Sequence, residues 1–582
     1  MQPLNSPGKV ARASGPHLLA AAVFAVGALI AMGPVLGDPS RYALGHAGND
    51  VWNHVWGFWF VGASLSAGEL PLDTALLNWP DGGSLWFIDA FNALLTLPIQ
   101  AVWGPTAAYN TAMGLNLWLC GFGAYVLAWQ VTRSWGGALV AGLMYMTAPH
   151  FVGQAYNGIS ETLAAGWLPL ALAAMRHAAR SPSLRSGALA GLLLGLNTVA
   201  NWYYGLFGLL ALAGLGLREL YRLRRRPDAR EHFRRMMLAA APAAAISLAI
   251  ATPPFLLFSG SMGAEDAVVG RDPDFVWMTL VMHNMTDALA LVRPGQFQSP
   301  DLKALFDEDL KVVVYVGVTL IGPAIGVLLS DRRRQAASWA LLAAAFLLLT
   351  LGPYLYVAGE YVRFGDRFIP LPFLALFEYT PVFSRISHAY RFVVGLTLAL
   401  AVVAAFAVDR LRARGIPVWA SVAVLCGLRL AETGFFSPVR LPLPIVDTHT
   451  PAVLANLDGG AVLDLPVSVP VLRRSQHFMG QLRHGEPVPY GLNDPTPVAL
   501  YLNRYSRYLI EIERTGAASL PPEPPALDLA AGQAALVAQG LRWIVVHEDR
   551  IPEDRRAVLE AFLDQTATPT YDGDSVRIYR LD

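Results

Sequence analysis

Two cysteines in 582 residues leave the chain without a disulfide framework. Both Cys120 and Cys426 lie inside apolar runs, which also excludes a cysteine-held metal. Charge is scarce: 15% of residues are charged against 54% hydrophobic, too polar-poor for a soluble protein of this length. The 43 basic and 43 acidic residues cancel, so no global field argues for nucleic acid. No P-loop, G-x-S-x-G, H-E-x-x-H or dinucleotide fingerprint occurs, which argues against an ATP-driven pump, a serine hydrolase, a zincin and a nicotinamide enzyme. Fixed-period repeats are absent, and the only low-complexity stretches are Ala/Leu-rich runs suited to lipid.

Long apolar runs are what the chain does have. A helix crossing a bilayer core of about 30 Å needs roughly 20 apolar residues. On that criterion the sequence predicts about eleven transmembrane helices, near 17–37, 106–131, 135–152, 160–178, 184–200, 203–220, 237–258, 312–330, 337–358, 391–410 and 416–433. The run from His17 to Gly37 is longer than a signal-peptide core and lacks a convincing cleavage site, so it reads as a retained span. From a cytoplasmic N-terminus, the loops after even-numbered spans should carry the Lys and Arg. They read "VTRSW", "RHAARSPSLR", "RELYRLRRRPDAREHFRR", "SDRRRQ" and "DRLRARG". The same count puts 38–105, 259–311, 359–390 and everything after about 434 on the extracytoplasmic side. A multi-pass protein of the bacterial inner membrane is the expectation.

Residues 434–582 change character. A Pro-rich entry is followed by strand-like "AVLDLPV", "RWIVVHE" and "SVRIYRL", alternating with helical "PEDRRAVLEAFLDQ". This predicts a small soluble α/β domain after a transmembrane domain of 1–433. His477 and His484 lie in its "SQHFMGQLRHGEPVPYG", read as structural or as an acceptor-binding patch.

The stretch "GNDVWNHVWGFWF" places Asp50, Asn53, His54 and Gly57 at i, i+3, i+4 and i+7 among aromatic residues, a polar stripe on an aromatic helix. Such a helix is expected in the interface with its tryptophans at headgroup depth and its stripe facing protein or water. "FNALLTLPIQAVW" is too short to span and predicts a second interfacial helix. Asp50 is either a helix N-cap or a carboxylate that works on something at a membrane cavity.

A retained first span, a large extracytoplasmic loop whose first helix begins at an acidic residue, many further spans and a soluble C-terminal region resemble the GT-C glycosyltransferases. The block from "GPYLYVAGEYVRFGDRF" to "AVVAAFAVDRL" is similar to YfhO-like bacterial relatives of that family. The resemblance implies inverting transfer of a sugar from a polyprenyl-phosphate donor to a glycan, lipid or protein acceptor, with Asp50 as base. It leaves a divalent ion, Mg or Mn, open, because Asn49 stands where some relatives carry a second carboxylate.

Further candidates lie on the same side. Glu161 opens the fourth span with Asn157 just before it, read as a second catalytic carboxylate or as a favourable helix-end charge. Asn201, Tyr203 and Tyr204 in "NTVANWYYGLF" suit a sugar ring or an interfacial belt. The loop 259–311 is long enough for a lid, and Arg271 within it is a substrate-binding candidate. Arg385, His388 and Arg391, at i, i+3 and i+6 before the tenth span, suit a lipid phosphate or simple snorkelling to headgroups. His54 is read as a hydrogen-bonding partner rather than a metal ligand, and as a substrate-binding candidate. Two other classes stay open: a transporter or flippase of a lipid-linked or small polar substrate, and a noncatalytic scaffold. Carboxylates spread at mid-depth would mark the former, but spans 1, 2, 5, 7 and 9 are nearly free of charge.

Overall fold

The computed structural model describes residues 7–268, 273–294, 312–439, 441–492, 496–516 and 526–581. Among these, four helices are long and apolar enough to cross a membrane: Leu97–Thr132, Ala229–Gly263, Ala389–Ala413 and Val418–Phe436. Shorter apolar helices include Gly15–Ala31, Leu184–Ala200 and Val318–Leu328. Helix Ala229–Met262 leaves Leu248, Phe255 and Leu256 on the outside, an apolar surface suited to lipid. It packs on Leu184–Ala200 through Gly187, Gly191 and Gly195, one small residue per turn. A Cβ on Gly187 would stand 2.0 Å from the Ala239 carbonyl oxygen, so the two backbones approach more closely than any larger residue allows.

Helix Val393–Ala413 is the central strut, buried on nearly all sides by Trp135–Met146, Val318–Leu328 and Arg333–Thr350. At one end of the helices the basic connections meet. Arg176, Arg180 and Arg222 converge on Glu219, and Arg218 reaches Ser338 and the Gln335 carbonyl.

Several expected spans are broken for local reasons. The segment 135–152 is two helices, Trp135–Met146 and Pro149–Asn157, because Pro149 has no amide to continue the first. The segment 160–178 starts as one helical turn, Ser160–Leu163, passes through a 3-10 turn and resumes as Trp167–Arg180. The segment 312–330 is helical only from Val318, after Gly317 at φ 94°. The backbone from 147 to 166 is therefore broken into short helical pieces, and most of it is buried in protein. "FNALLTLPIQAVW" divides into the helix Ala90–Leu95 and the first turns of Leu97–Thr132, which bends at Gly104 just before Pro105.

The opposite end carries the C-terminal residues. A four-stranded sheet runs in the order Thr568–Gly573, Val576–Arg580, Leu541–His547, Ala461–Leu465. The last two strands are parallel and the other pairings antiparallel. These residues are joined to the helical part by more than the chain. Strand Tyr42–Leu44 pairs antiparallel with Ile445–Asp447, and helix Phe478–His484 lies on helix Val51–Ser66.

Candidate functional site

Two tryptophans of helix Val51–Ser66, expected at headgroup depth, are turned into protein instead. Trp52 and Trp56 are fully buried in protein, because their indole N–H groups bond internally, to the Ala47 carbonyl at 2.7 Å and to Gln481 Oε1 at 2.6 Å. The helix start is gripped by two glycines. Gly158, at φ 75°, comes so close that an added Cβ would lie 2.6 Å from Val51 Cβ, and one on Gly45 would lie 2.9 Å from the same atom. This approach sets the turn 157–161 directly against residues 49–54.

Two aspartates stand at helix N-cap positions here, Asp50 before Val51–Ser66 and Asp89 before Ala90–Leu95. Neither side chain caps its helix. Asp50 instead accepts a hydrogen bond from Asn53 Nδ2 at 3.2 Å and is half-buried. Asp89 is fully buried and accepts from Asn92 Nδ2 at 2.6 Å and from the Ser160 hydroxyl. Asn116 in turn donates to Asn92 Oδ1 at 3.1 Å.

Between these acids and Glu161 lies His54. Its Nδ1 is 3.6 Å from Asp89 Oδ2 and 3.1 Å from Ser160 Oγ, and its Nε2 is 3.4 Å from Glu161 Oε2. Glu161 is buried, and its other oxygen accepts from Arg391 Nη2 at 3.4 Å. The Arg391 guanidinium stacks over Tyr203, 5.2 Å from the ring centroid, and its buried Nε has no hydrogen-bond partner among the described residues. Formally, three carboxylates face one guanidinium and one imidazole. Burial opposes the charged imidazole, but the Asp89 hydrogen bond and the Glu161, Asp89 and Asp50 charges outweigh it and leave the His54 pKa above its ordinary value.

The remaining predicted residues divide. Asn157 accepts from Asn49 Nδ2 at 2.9 Å at the edge of the cluster. Asn201 caps helix Trp202–Leu223 through the Tyr203 amide and donates to the Glu161 carbonyl at 3.4 Å, so it positions rather than lines. Tyr204 is turned into the packing, with its hydroxyl on the Thr162 carbonyl. His388 lies edge-on to the Tyr203 ring at 6.5 Å and bonds Ser387 at 2.7 Å. Arg385 is exposed and apart from this group. The expected helical spacing of 385, 388 and 391 fails because the chain there is two 3-10 turns, Phe383–Arg385 and Ala389–Phe392, with non-helical residues between. Arg271 lies outside the described residues. Asp89, Asn92 and Ser160 were not among the predicted site residues. The only sequence sign of the first two is an acid and an amide at i and i+3, which is common.

The cluster does not fit a magnesium or manganese ion, which would need several oxygens converging on one point. Asp89 is turned to Asn92 and Ser160, Glu161 Oε1 to Arg391, and the His54 ring fills the space between the two carboxylates. Elsewhere, Asp464, His477 and His547 each offer a ligand atom, all within 4.8 Å of one another. Two nitrogens and an oxygen are a donor set for a softer ion than magnesium. However, Arg550 Nη1 lies 2.9 Å from His477 Nδ1, where a cation would meet a guanidinium.

The chain matches no protein-family model and no curated protein. Among solved structures it is similar to ArnT from Cupriavidus metallidurans bound to undecaprenyl phosphate, at 14% identity and TM-score 0.45, covering 96% of this chain and 98% of that one. It is also similar to the oligosaccharyltransferase AglB from Archaeoglobus fulgidus in complex with an inhibitory peptide and a dolichol-phosphate. There the identity is 12% and the TM-score 0.45, covering 97% of this chain and 74% of that one.

Proposed function

We propose that the chain is a GT-C-type membrane glycosyltransferase of the bacterial inner membrane. It takes a sugar from a polyprenyl-phosphate donor to an extracytoplasmic glycan, lipid or protein acceptor, with the N-terminus cytoplasmic. The observation that carries this reading is the pair of N-cap aspartates whose side chains leave their own helices uncapped and turn to a cluster shared with His54, Glu161 and Arg391. Buried charge of this kind is expensive as scaffolding and is characteristic of working sites. The donor class comes from the sequence resemblance.

In the proposed step the acceptor hydroxyl oxygen attacks the anomeric carbon, the carbon–oxygen bond to phosphate breaks, and polyprenyl phosphate leaves. Asp50, the most accessible of the three carboxylates, takes the hydroxyl proton. Arg391 meets the charge growing on the departing phosphate, and its Nε, without a hydrogen-bond partner among the described residues, gives it a donor to spare. Glu161, held by His54 and Arg391, fixes the guanidinium. No metal enters the step.

The test is transfer from radiolabelled polyprenyl-phosphate sugars to a membrane extract, comparing wild type with Asp50→Asn and Glu161→Gln. General-base loss lowers turnover about 10²- to 10⁴-fold. Transfer indifferent to Asp50 would remove it as base. No transfer from any donor, with labelled substrate crossing the membrane intact, would favour a transporter.

A further inference from the structure

In the C-terminal sheet, the parallel strands Ala461–Leu465 and Leu541–His547 end side by side. Beyond their carboxyl ends the chain diverges, through Pro466–Pro470 on one strand and Glu548–Pro552 on the other. Open α/β sheets collect ligands at such a place. The gap is a cleft of about 300 Å³. Its lining includes Pro466, Ser468, Glu513, Arg514, Arg550 and Arg555, three guanidinium groups against one carboxylate.

The Arg550 guanidinium is held differently from that of a surface arginine. His477 Nε2 lies 3.0 Å from the Pro466 carbonyl oxygen, which can only accept, so that nitrogen carries the proton and Nδ1 is left as an acceptor. Arg550 Nη1 donates to this Nδ1 at 2.9 Å. Burial holds the His477 pKa well below its ordinary value, which keeps the ring neutral as this arrangement requires. Behind it, His547 stacks on His477 at 4.8 Å and bonds Asp464 at 2.7 Å. A buried polar network thus fixes Arg550 at the cleft. Its buried Nε has no hydrogen-bond partner among the described residues, the Asp549 carboxylate being 3.9 Å away.

The carboxylate in the wall is occupied. Glu513 accepts from the amides of Val467 at 2.9 Å and Ser468 at 2.6 Å, one on each oxygen. It pins the Pro466–Val469 wall and draws little from the arginines. Arg555 Nη1 touches the Glu513 main-chain oxygen at 3.3 Å, and Arg514 is exposed at the rim.

We propose that this cleft binds a phosphomonoester, with Arg550 as its fixed anchor and Arg555 and Arg514 closing on the remaining oxygens. Planar guanidinium forks match the several oxygens and double charge of that group. The site is independent of the transferase reading. A phosphorylated sugar and a lipid headgroup such as phosphatidic acid present the same chemistry.

The test uses the full chain. In detergent, titration calorimetry with glucose 6-phosphate, against glucose as control, reads the soluble source. In nanodiscs of phosphatidylcholine with or without phosphatidic acid, a shift in thermal unfolding reads the lipid source. Binding of either phosphate-bearing probe, weakened by about tenfold or more in Arg550→Gln, supports the site. Should that variant misfold, Arg514→Gln with Arg555→Gln, on more accessible side chains, takes its place. Absence of binding by both probes, or binding equal in wild type and the folded variants, overturns the proposal.

Discussion

His54 Nε2 lies 3.4 Å from Glu161 Oε2 while Nδ1 lies 3.6 Å from Asp89 Oδ2, so a single imidazole separates two buried carboxylates. Its pKa is raised above 6.5 in the folded chain, because the acids outweigh burial. A base whose pKa rises on folding adds stability that is complete below the unfolded value and lost as pH climbs through the folded one. Thermal unfolding of wild type should therefore drop toward that of His54→Gln as pH rises above about 6.5. Parallel curves would mean that the imidazole is not charged in this site.

Asp89 and Asp50 should separate stability from turnover. Asp89→Asn keeps the shape but removes the charge that His54 and Ser160 answer, and leaves a buried group mispaired, a cost of about 1–3 kcal/mol. Asp50→Asn touches a half-buried group, and Asn53 can bond an amide in its place, so unfolding should move less than in the Asp89 variant. Calorimetry beside the transfer assay checks both. An Asp50 variant that unfolds as readily as the Asp89 variant would make Asp50 a structural group.

How much of this was legible follows from where periodicity operates. Asp50, Asn53 and His54 share a helical stripe, and that spacing is visible in sequence. Asn157, Glu161, Asn201 and Arg391 come from the ends of separate helices, and the sequence expectation from the alternation of basic loops grouped them on one side. Asp89 sits between a turn-rich loop and a six-residue helix, where no repeat marks its direction. Arg385 was misplaced because helical spacing was extended across two 3-10 turns. The strands framing the cleft are readable as "AVLDLPV" and "RWIVVHE", but their parallel pairing is a long-range fact with no local sign.

Gly158 tests the geometry that joins the two halves of the cluster. It occupies φ 75°, and its alanine Cβ would lie 2.6 Å from Val51 Cβ. Left-handed backbone and overpacking together predict a loss of about 2–4 kcal/mol for Gly158→Ala. Transfer should fall with it, because Asn157 and Glu161 move away from His54. Gly216, inside helix Trp202–Leu223 with nothing within 4 Å of an added Cβ, is the control. Gly216→Ala should be neutral or stabilising by up to about 1 kcal/mol. Equal effects at the two positions would show that the close approach at Val51 does not hold the turn.

Glu513 carries a pH signature of the same sign as His54, in a lower window. Burial raises its pKa to about 7 from 4.5, against the Val467 and Ser468 hydrogen bonds and the nearby Arg474 charge. An acid whose pKa rises on folding binds its proton more tightly in the folded state, so its contribution favours folding at low pH. That contribution declines between about 4.5 and 7 and is constant above. The full swing is roughly 3 kcal/mol, from one buried acid that titrates near 7 instead of 4.5. Glu513→Gln does not titrate, so the stability of wild type minus that of the variant should fall across this window and level off near neutrality. Taking the difference cancels every other acid in the chain, and urea unfolding at fixed pH steps measures it directly. A difference that rises with pH instead would mean that the two amide hydrogen bonds dominate over burial, and that the cleft wall is pinned by a fully charged carboxylate.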